Sequence, residues 1–210
     1  MHAGTLSKSA QAALAVLGTS GIFKSSYLAG GSALALHLGH RRSYDFDFYT
    51  QKNIRAEDIA SQLGELGNFK TTLLEPPHTL LGEFQGVKLS IFRYNYPLIE
   101  KVSTFQNIAL ASLADISAMK LSAITGRATK RDYVDLYLLA IRFSLEQIFQ
   151  WFDKKFGVLG NNMYVIIKAL GFFVDAESDD MPQMLIKVSW RQVKDFFTSE
   201  SLRLAKKYLE

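Results

Sequence analysis

The sequence predicts an α+β fold, a mixed sheet with helices followed by a helical C-terminal region. Three observations predict it. Between residues 44 and 93, short runs rich in aromatic and β-branched residues carry a two-residue period. Beyond about residue 112 the apolar period lengthens to that of a helix, and helix-start patterns of the form Ser-x-x-Asp/Gln recur at Ser112, Ser144 and Ser189. The chain is expected to divide near Asn107, into an α/β domain over 1–107 and a helical domain over 108–210 packed against it, with no internal repeat and no low-complexity linker.

The elements follow in order. The alanine-rich amphipathic stretch Leu6 to Leu17 is the first helix. Leu28-Ala29 ends a short apolar strand, Gly30-Gly31 permit a turn with positive φ, and Ser32 is placed to cap a helix from about Ala33 to Leu38. In Tyr44-Asp45-Phe46-Asp47-Phe48-Tyr49 the alternation of a strand puts Asp45 and Asp47 on one face and Phe46 and Phe48 on the other. A helix over Arg55 to Leu66 carries Ile59, Leu63 and Leu66 on its apolar side, and strands follow near Lys70 to Leu74, Leu80 to Phe84 and Val87 to Arg93. The helix after Ser112 buries Leu113, Ile116, Ala123 and Ile124, with Asp115 as the partner of Ser112 in a capping box, and another helix begins near Lys130. Gly157, Gly160 with Asn161-Asn162, and the acidic run Asp175 to Asp180 mark breaks. The aromatic residues of the last third, among them Phe152, Trp190 and Phe197, are too numerous to be exposed and belong mainly to a core.

Composition narrows the class. A hydrophobic content of 48% with 21% charged residues is that of a packed chain. The absence of cysteine excludes disulfides and thiolate metal sites. No secretory pattern opens the chain and no apolar run reaches the length of a bilayer span, so a cytoplasmic protein with no membrane partner is expected. The net charge of +4 tilts it toward anionic partners.

The chemistry concentrates between Tyr27 and Tyr49. Two carboxylates converging from one strand face suit Mg²⁺ or Mn²⁺, which retains waters and takes further ligands from phosphates. A glycine-lined helix entrance favours phosphate, because its N–H groups and dipole attract negative charge and no side chain keeps the ligand away. Alone, a Gly-Gly-Ser is an ordinary turn and an Asp-x-Asp an ordinary solvated strand edge. In the order strand, Gly-Ser turn, helix, acidic strand, they describe a seat for a metal-bound nucleoside triphosphate, with Gly30, Gly31 and Ser32 on the phosphates and Asp45 and Asp47 on the metal. Arg41 and Arg42 either help neutralise the triphosphate or pair with the two aspartates. His37 and His40 are a poor metal pair, since no cysteine and no local third ligand accompany them.

These residues carry a family resemblance. The run Gly30 to Arg41, followed by Ser43-Tyr44-Asp45-Phe46-Asp47-Phe48, resembles the first motif of the AbiEii-type nucleotidyltransferase toxins of abortive infection. Asp115 to Ile124, then Gly126-Arg127, then Lys130-Arg131-Asp132-Tyr133-Val134-Asp135-Leu136-Tyr137, is similar to that family's helical motifs in the same order. The resemblance implies a polymerase-β-like nucleotidyltransferase domain, Mg²⁺, a nucleoside triphosphate, and a toxin held in check by an antitoxin protein encoded alongside. It also raises Lys120 to a residue that meets the triphosphate, where a lysine is otherwise most often solvent-facing.

Polymerase-β-like enzymes commonly add a third carboxylate on a later strand. This chain offers Ser90 there. Three accounts stay open: a site resting on Asp45 and Asp47 only, a replacement carboxylate from the helices, or a fold that binds nucleotide without turnover. Asp132 and Asp135, three apart on one helix face, are the replacement candidates, although acids in a first helical turn also offset the dipole. Arg127, Lys130 and Arg131 form a basic cluster suited to phosphates or a nucleic-acid acceptor, or simply solvated. The expected activity moves a nucleoside monophosphate from the triphosphate to an acceptor such as a tRNA or another RNA, with the nucleotide between the two parts and Lys120 and Asp135 facing Asp45 and Asp47. A degenerate regulatory module is the alternative, and a metal-dependent glycosyltransferase a more distant one.

Overall fold

Each strand of the first half pairs where its alternation lets it bury one face. The computed structural model describes all residues from Met1 to Glu210, in two units, Met1–Ser112 and Leu113–Glu210. The first unit holds strands β1 (Tyr27–Leu28), β2 (Asp45–Thr50), β3 (Phe69–Glu75), β4 (Thr79–Phe84), β5 (Val87–Arg93), β6 (Ser103–Phe105) and β7 (Ile108–Leu110), with helices α1 (Lys8–Ser20), α2 (Gly30–Leu38) and α3 (Ala56–Leu66). The strands form one mixed sheet in the order β3-β4-β5-β2-β1-β7-β6. β2 runs parallel to β5 and β1 to β7, and the remaining neighbours are antiparallel.

Residues alternate between buried and half-exposed along β2 and β4. Phe46, Phe48, Leu80, Phe84, Leu89 and Ile91 form the buried face, and Phe23 stacks on Phe48 at 4.0 Å between ring centroids. Burying one such phenylalanine contributes about 1.5–3 kcal/mol, and truncating Phe48 to alanine costs about 3–5 kcal/mol once the cavity left behind is included. α1 starts at Ser7, whose side chain accepts from the Ala10 N–H, and stops at Gly21 in the left-handed region.

The β6-β7 hairpin replaces the helical pattern expected just past Asn107. Its strands are three residues each, too short for a period to show, and its two-residue loop Gln106-Asn107 takes positive φ at both positions, as the right-handed twist of a tight hairpin requires. The β4-β5 loop Gln85-Gly86 is built the same way.

The second unit is helical: α4 (Leu113–Gly126), α5 (Lys130–Phe143), α6 (Leu145–Phe156), α7 (Leu159–Leu170), the single turn α8 (Val174–Glu177) and α9 (Trp190–Tyr208). Caps set the starts. Thr129 accepts from the Asp132 N–H, Ser144 from the Gln147 N–H, and Ser189 forms a full capping box with Gln192. α4 packs on α5, α6 and α7, and this enclosure buries its polar residues together with its apolar ones. Tyr133 is fully buried among Phe173, Trp190 and Phe197, and its hydroxyl donates toward the carbonyls that end α7, reaching Ala169 at 2.7 Å. Gly160-Asn161-Asn162, expected as a break, lies in the first turn of α7, and the start of the acidic run belongs to α8.

Candidate active site

The glycine turn and the acidic strand meet. β1 runs straight into α2, and at the junction the Ala29 N–H donates to the Asp47 carbonyl at 3.0 Å. Gly30 takes φ +63°, and a Cβ there would lie 2.9 Å from Oδ2 of Asp47. The second carboxylate of the pair therefore sits against the helix mouth. A Cβ on Gly31 would come within 2.5 Å of an Arg41 Nη and 3.3 Å of the Ser43 hydroxyl, so the Arg41 guanidinium, itself buried, lies over the second glycine.

Ser32 has a different task from the expected one. α2 begins two residues earlier, at Gly30, with Ala29 at the cap position and no side chain capping it. Ser32 lies inside the first turn, 2% exposed, and its hydroxyl contacts the Asp45 carbonyl and the Ser43 hydroxyl, the latter at 2.9 Å. It fastens the helix mouth to the start of the acidic strand. An N-terminus uncapped by any side chain, with an arginine beside it, retains its attraction for an anion.

Asp45 and Asp47 share the half-exposed face of β2 while Phe46 and Phe48 go to the core. The parallel register places Lys88 beside Asp45 and Ser90 beside Asp47, and the antiparallel register continues the first row to Glu83. Lys88 and Glu83 escape sequence reasoning: their parity on a strand is legible, but the row they share with Asp45 depends on a β2-β5 pairing that skips over α3, β3 and β4. No group of three His, Cys, Asp or Glu side chains assembles here. Two hard oxygen ligands on an accessible face, next to a cradle that a Cβ would fill, fit a cation that completes its shell from water and phosphate. His37 is instead occupied in packing: a ring nitrogen lies 2.9 Å from the Ala111 carbonyl, and burial lowers its pKa, partly offset by that contact.

In the helical unit, Lys120 and the two aspartates of α5 come together. Lys120 is 5% exposed and its Nζ lies 2.7 Å from both Asp132 Oδ1 and Asp135 Oδ2. Arg127 adds a forked contact to Asp132, 2.8 Å from Nε and 3.1 Å from Nη2, and the Thr129 hydroxyl donates to the same carboxylate at 2.7 Å. Burial pushes the Asp132 carboxyl upward, yet Lys120 and Arg127 outweigh it and hold the group well below the usual carboxylate range. Lys130 goes elsewhere: its backbone N–H donates to Asp179 Oδ2 at 2.9 Å, its ammonium reaches the carbonyls of Glu177 and Asp179, and it lies 5.2 Å from the Trp190 ring centre. Arg131 is exposed. Asp115, expected at the helix start as a capping partner, is fully buried and accepts from Lys155 Nζ at 2.8 Å.

The family described as "Nucleotidyl transferase AbiEii toxin, Type IV TA system" matches residues 12–203. The chain belongs to this family. It is accordingly a nucleotidyltransferase with the α+β architecture of the AbiEii toxins. An uncharacterized protein of Aquifex aeolicus (strain VF5) is 33% identical over 211 residues, covering 98% of each chain. Among solved structures, JHP933 from Helicobacter pylori is similar in fold, with a TM-score of 0.58 at 18% identity, covering 97% of this chain and 94% of that one. MenT4, a nucleotidyltransferase toxin from Mycobacterium tuberculosis H37Rv, is similar with a TM-score of 0.55 at 17% identity, covering 97% and 90%. No helix of this AbiEii-family chain is long and apolar enough to cross a membrane.

Proposed function

We propose that this AbiEii-family protein moves a nucleoside monophosphate from a nucleoside triphosphate to a hydroxyl of an RNA acceptor, such as a tRNA, with Mg²⁺, and acts as a toxin restrained by a partner antitoxin. The observation that carries the reading is the approach of the Asp47 carboxylate to Gly30 at the mouth of α2, with Asp45 on the same strand face. Asp45 and Asp47 hold the metal, which when bound supplies a positive charge for the phosphate oxygens. Gly30, Gly31 and Ser32 present backbone N–H groups to the β- and γ-phosphates, and Arg41 adds positive charge beside them. The acceptor oxygen bonds the α-phosphorus and gives its proton to water, while the bond from the α-phosphorus to the bridging oxygen breaks and pyrophosphate leaves. The residues position and neutralise, as in other phosphoryl transfers. Two of the three Lys120 donors are spent on Asp132 and Asp135. We assign Lys120, its ammonium fixed by Asp135, to the reaction as a further cationic residue, with Arg127 and Arg131 attracting the acceptor.

The test is direct. Purified protein, each labelled triphosphate and total RNA are incubated, and the labelled species identified; Asp45→Asn with Asp47→Asn abolishes labelling while the melting temperature stays close to that of the natural chain. Labelling by the double variant refutes the site. Ser90 beside Asp47 favours one second reading, a nucleotide-binding module without turnover, which would bind triphosphate calorimetrically and release no pyrophosphate. Growth arrest on expression, relieved by co-expressing the neighbouring gene, tests the antitoxin.

A further inference from the structure

On β2 the next residue after Asp47 on the same face is Tyr49, roughly 7 Å along the strand. Tyr27, Tyr49 and Phe92 are register partners on three adjacent strands, so their rings form one row across the sheet. Tyr49 stacks on Tyr27 at 6.0 Å between centroids and 22°, lies 5.5 Å from Phe92, and meets Tyr94 edge-on at 5.1 Å. Tyr94 in turn meets Tyr96 at 4.8 Å, and Tyr96 is 41% exposed. The segment is tied down: the Tyr94 N–H donates to the Thr50 carbonyl at 2.7 Å, and Gln51 Nε2 to the Tyr96 carbonyl at 2.9 Å.

Aromatic cross-strand pairs stabilise sheets, and that is the ordinary explanation for such a row. The core of this sheet lies on the opposite face, however, with Phe46 and Phe48. The ladder stands instead on the face of Asp45, Asp47, Lys88 and Glu83, one strand repeat from the phosphate mouth, and it ends in an accessible ring. Aromatic faces beside a charged phosphate site match a molecule that joins a triphosphate to a flat heterocycle.

We propose that this ladder, Tyr49 with Tyr94 and Tyr96, seats the nucleobase of the triphosphate whose phosphates are held at Gly30, Gly31 and the acidic pair. The assignment rests on the phosphate site described above. Stacking on the accessible Tyr96 ring, which Tyr94 and Tyr49 support from behind, sets the affinity for the nucleoside half of the substrate, and the glycine mouth sets that for the phosphate half.

The experiment separates the two halves. Binding of a nucleoside triphosphate and of inorganic tripolyphosphate, each with Mg²⁺, is measured by calorimetry on the full chain and on Tyr49→Leu, Tyr49→Phe and Tyr96→Ala. Emission of 2-aminopurine riboside triphosphate reports stacking independently of turnover. Tyr49→Leu and Tyr96→Ala are expected to weaken triphosphate binding about tenfold, with tripolyphosphate affinity unchanged. Tyr49→Phe keeps the ring, the affinity and the quenching of 2-aminopurine. Unchanged triphosphate affinity in both truncated variants overturns the proposal, as does an equal loss for tripolyphosphate. Loss of RNA retention with triphosphate affinity intact also overturns it, and gives the ladder to the acceptor. If the natural chain binds neither ligand, the phosphate site falls, and the ladder's role with it.

Discussion

Asp47 of β2 and Ser90 of β5 are register partners on parallel strands, so a serine stands beside the second carboxylate of the acidic pair. This neighbouring strand is where polymerase-β-like enzymes commonly place a third carboxylate. Ser90→Asp puts a like charge next to Asp47, which costs about 0.2–1 kcal/mol in a strand pair. The variant is expected to melt below the natural chain in chelator and to gain more than it from added Mg²⁺, because a ligand bound by the folded state stabilises it. Equal Mg²⁺ shifts for the two proteins would remove Ser90 from the metal's surroundings.

The two glycines of the mouth differ in what they tolerate. Gly30 combines φ +63° with the Asp47 carboxylate at 2.9 Å from a built Cβ. Gly30→Ala is expected to cost about 1–2 kcal/mol for the left-handed backbone and to displace Asp47, so Mg²⁺-dependent tripolyphosphate binding falls well beyond the stability loss. At Gly31 no positive φ adds strain, and the obstructing atom is the end of the buried Arg41 side chain. Gly31→Ala should therefore carry no left-handed backbone penalty, cost stability only through the displacement of Arg41, and weaken phosphate binding through it. Chemical denaturation and calorimetry on both variants check the contrast.

What the sequence made legible was local. The two-residue period of Asp45 to Phe48 told which side chains share a face, and the short span from Gly30 to Asp47 kept the helix mouth and the acids in one neighbourhood. Three-residue spacing likewise put Asp132 and Asp135 on one helix face. Illegible was whatever depends on partners distant in sequence. Lys88 faces Asp45 only because β5 pairs with β2, and Lys120 is enclosed only because other helices pack around α4. Ser32 carried a capping signal, yet the helix started earlier and turned its hydroxyl to β2. Gly160-Asn161-Asn162 carried a breaking signal, yet it stands in the first turn of α7, where the Leu159 N–H donates to Asp153 Oδ1.

Lys155 and Asp115 are a fully buried pair, both side chains at 0% exposure and 2.8 Å apart. Taking one charge away leaves the other to bear its desolvation, at a cost of about 3–5 kcal/mol, whereas an apolar pair of similar volume is often neutral or better. Lys155→Met alone is expected to be severely destabilising, and Lys155→Met with Asp115→Leu to recover most of the loss. The denaturation midpoints of the single and double variants measure this. A double variant no more stable than the single one would show that Asp115 has a further task at the start of α4.

Asp132 makes the stability of the helical unit depend on acid. Lys120, Arg127 and Thr129 hold its carboxylate, and its pKa in the folded chain lies below the value of about 3.9 that it takes when unfolded. A carboxyl depressed in the folded state contributes stability that is fully present above the unfolded pKa and is lost as the pH falls through the folded one. The natural chain should thus lose stability progressively below about pH 4. Asp132→Asn keeps the side-chain shape and removes the charge, so it should be much weaker than the natural chain at pH 7 and approach it in strong acid. Urea unfolding across that range gives the gap between the two proteins at each pH. A gap that stays constant would mean that the ion pairs with Lys120 and Arg127 do not carry the stabilisation, and that the asparagine disturbs packing alone.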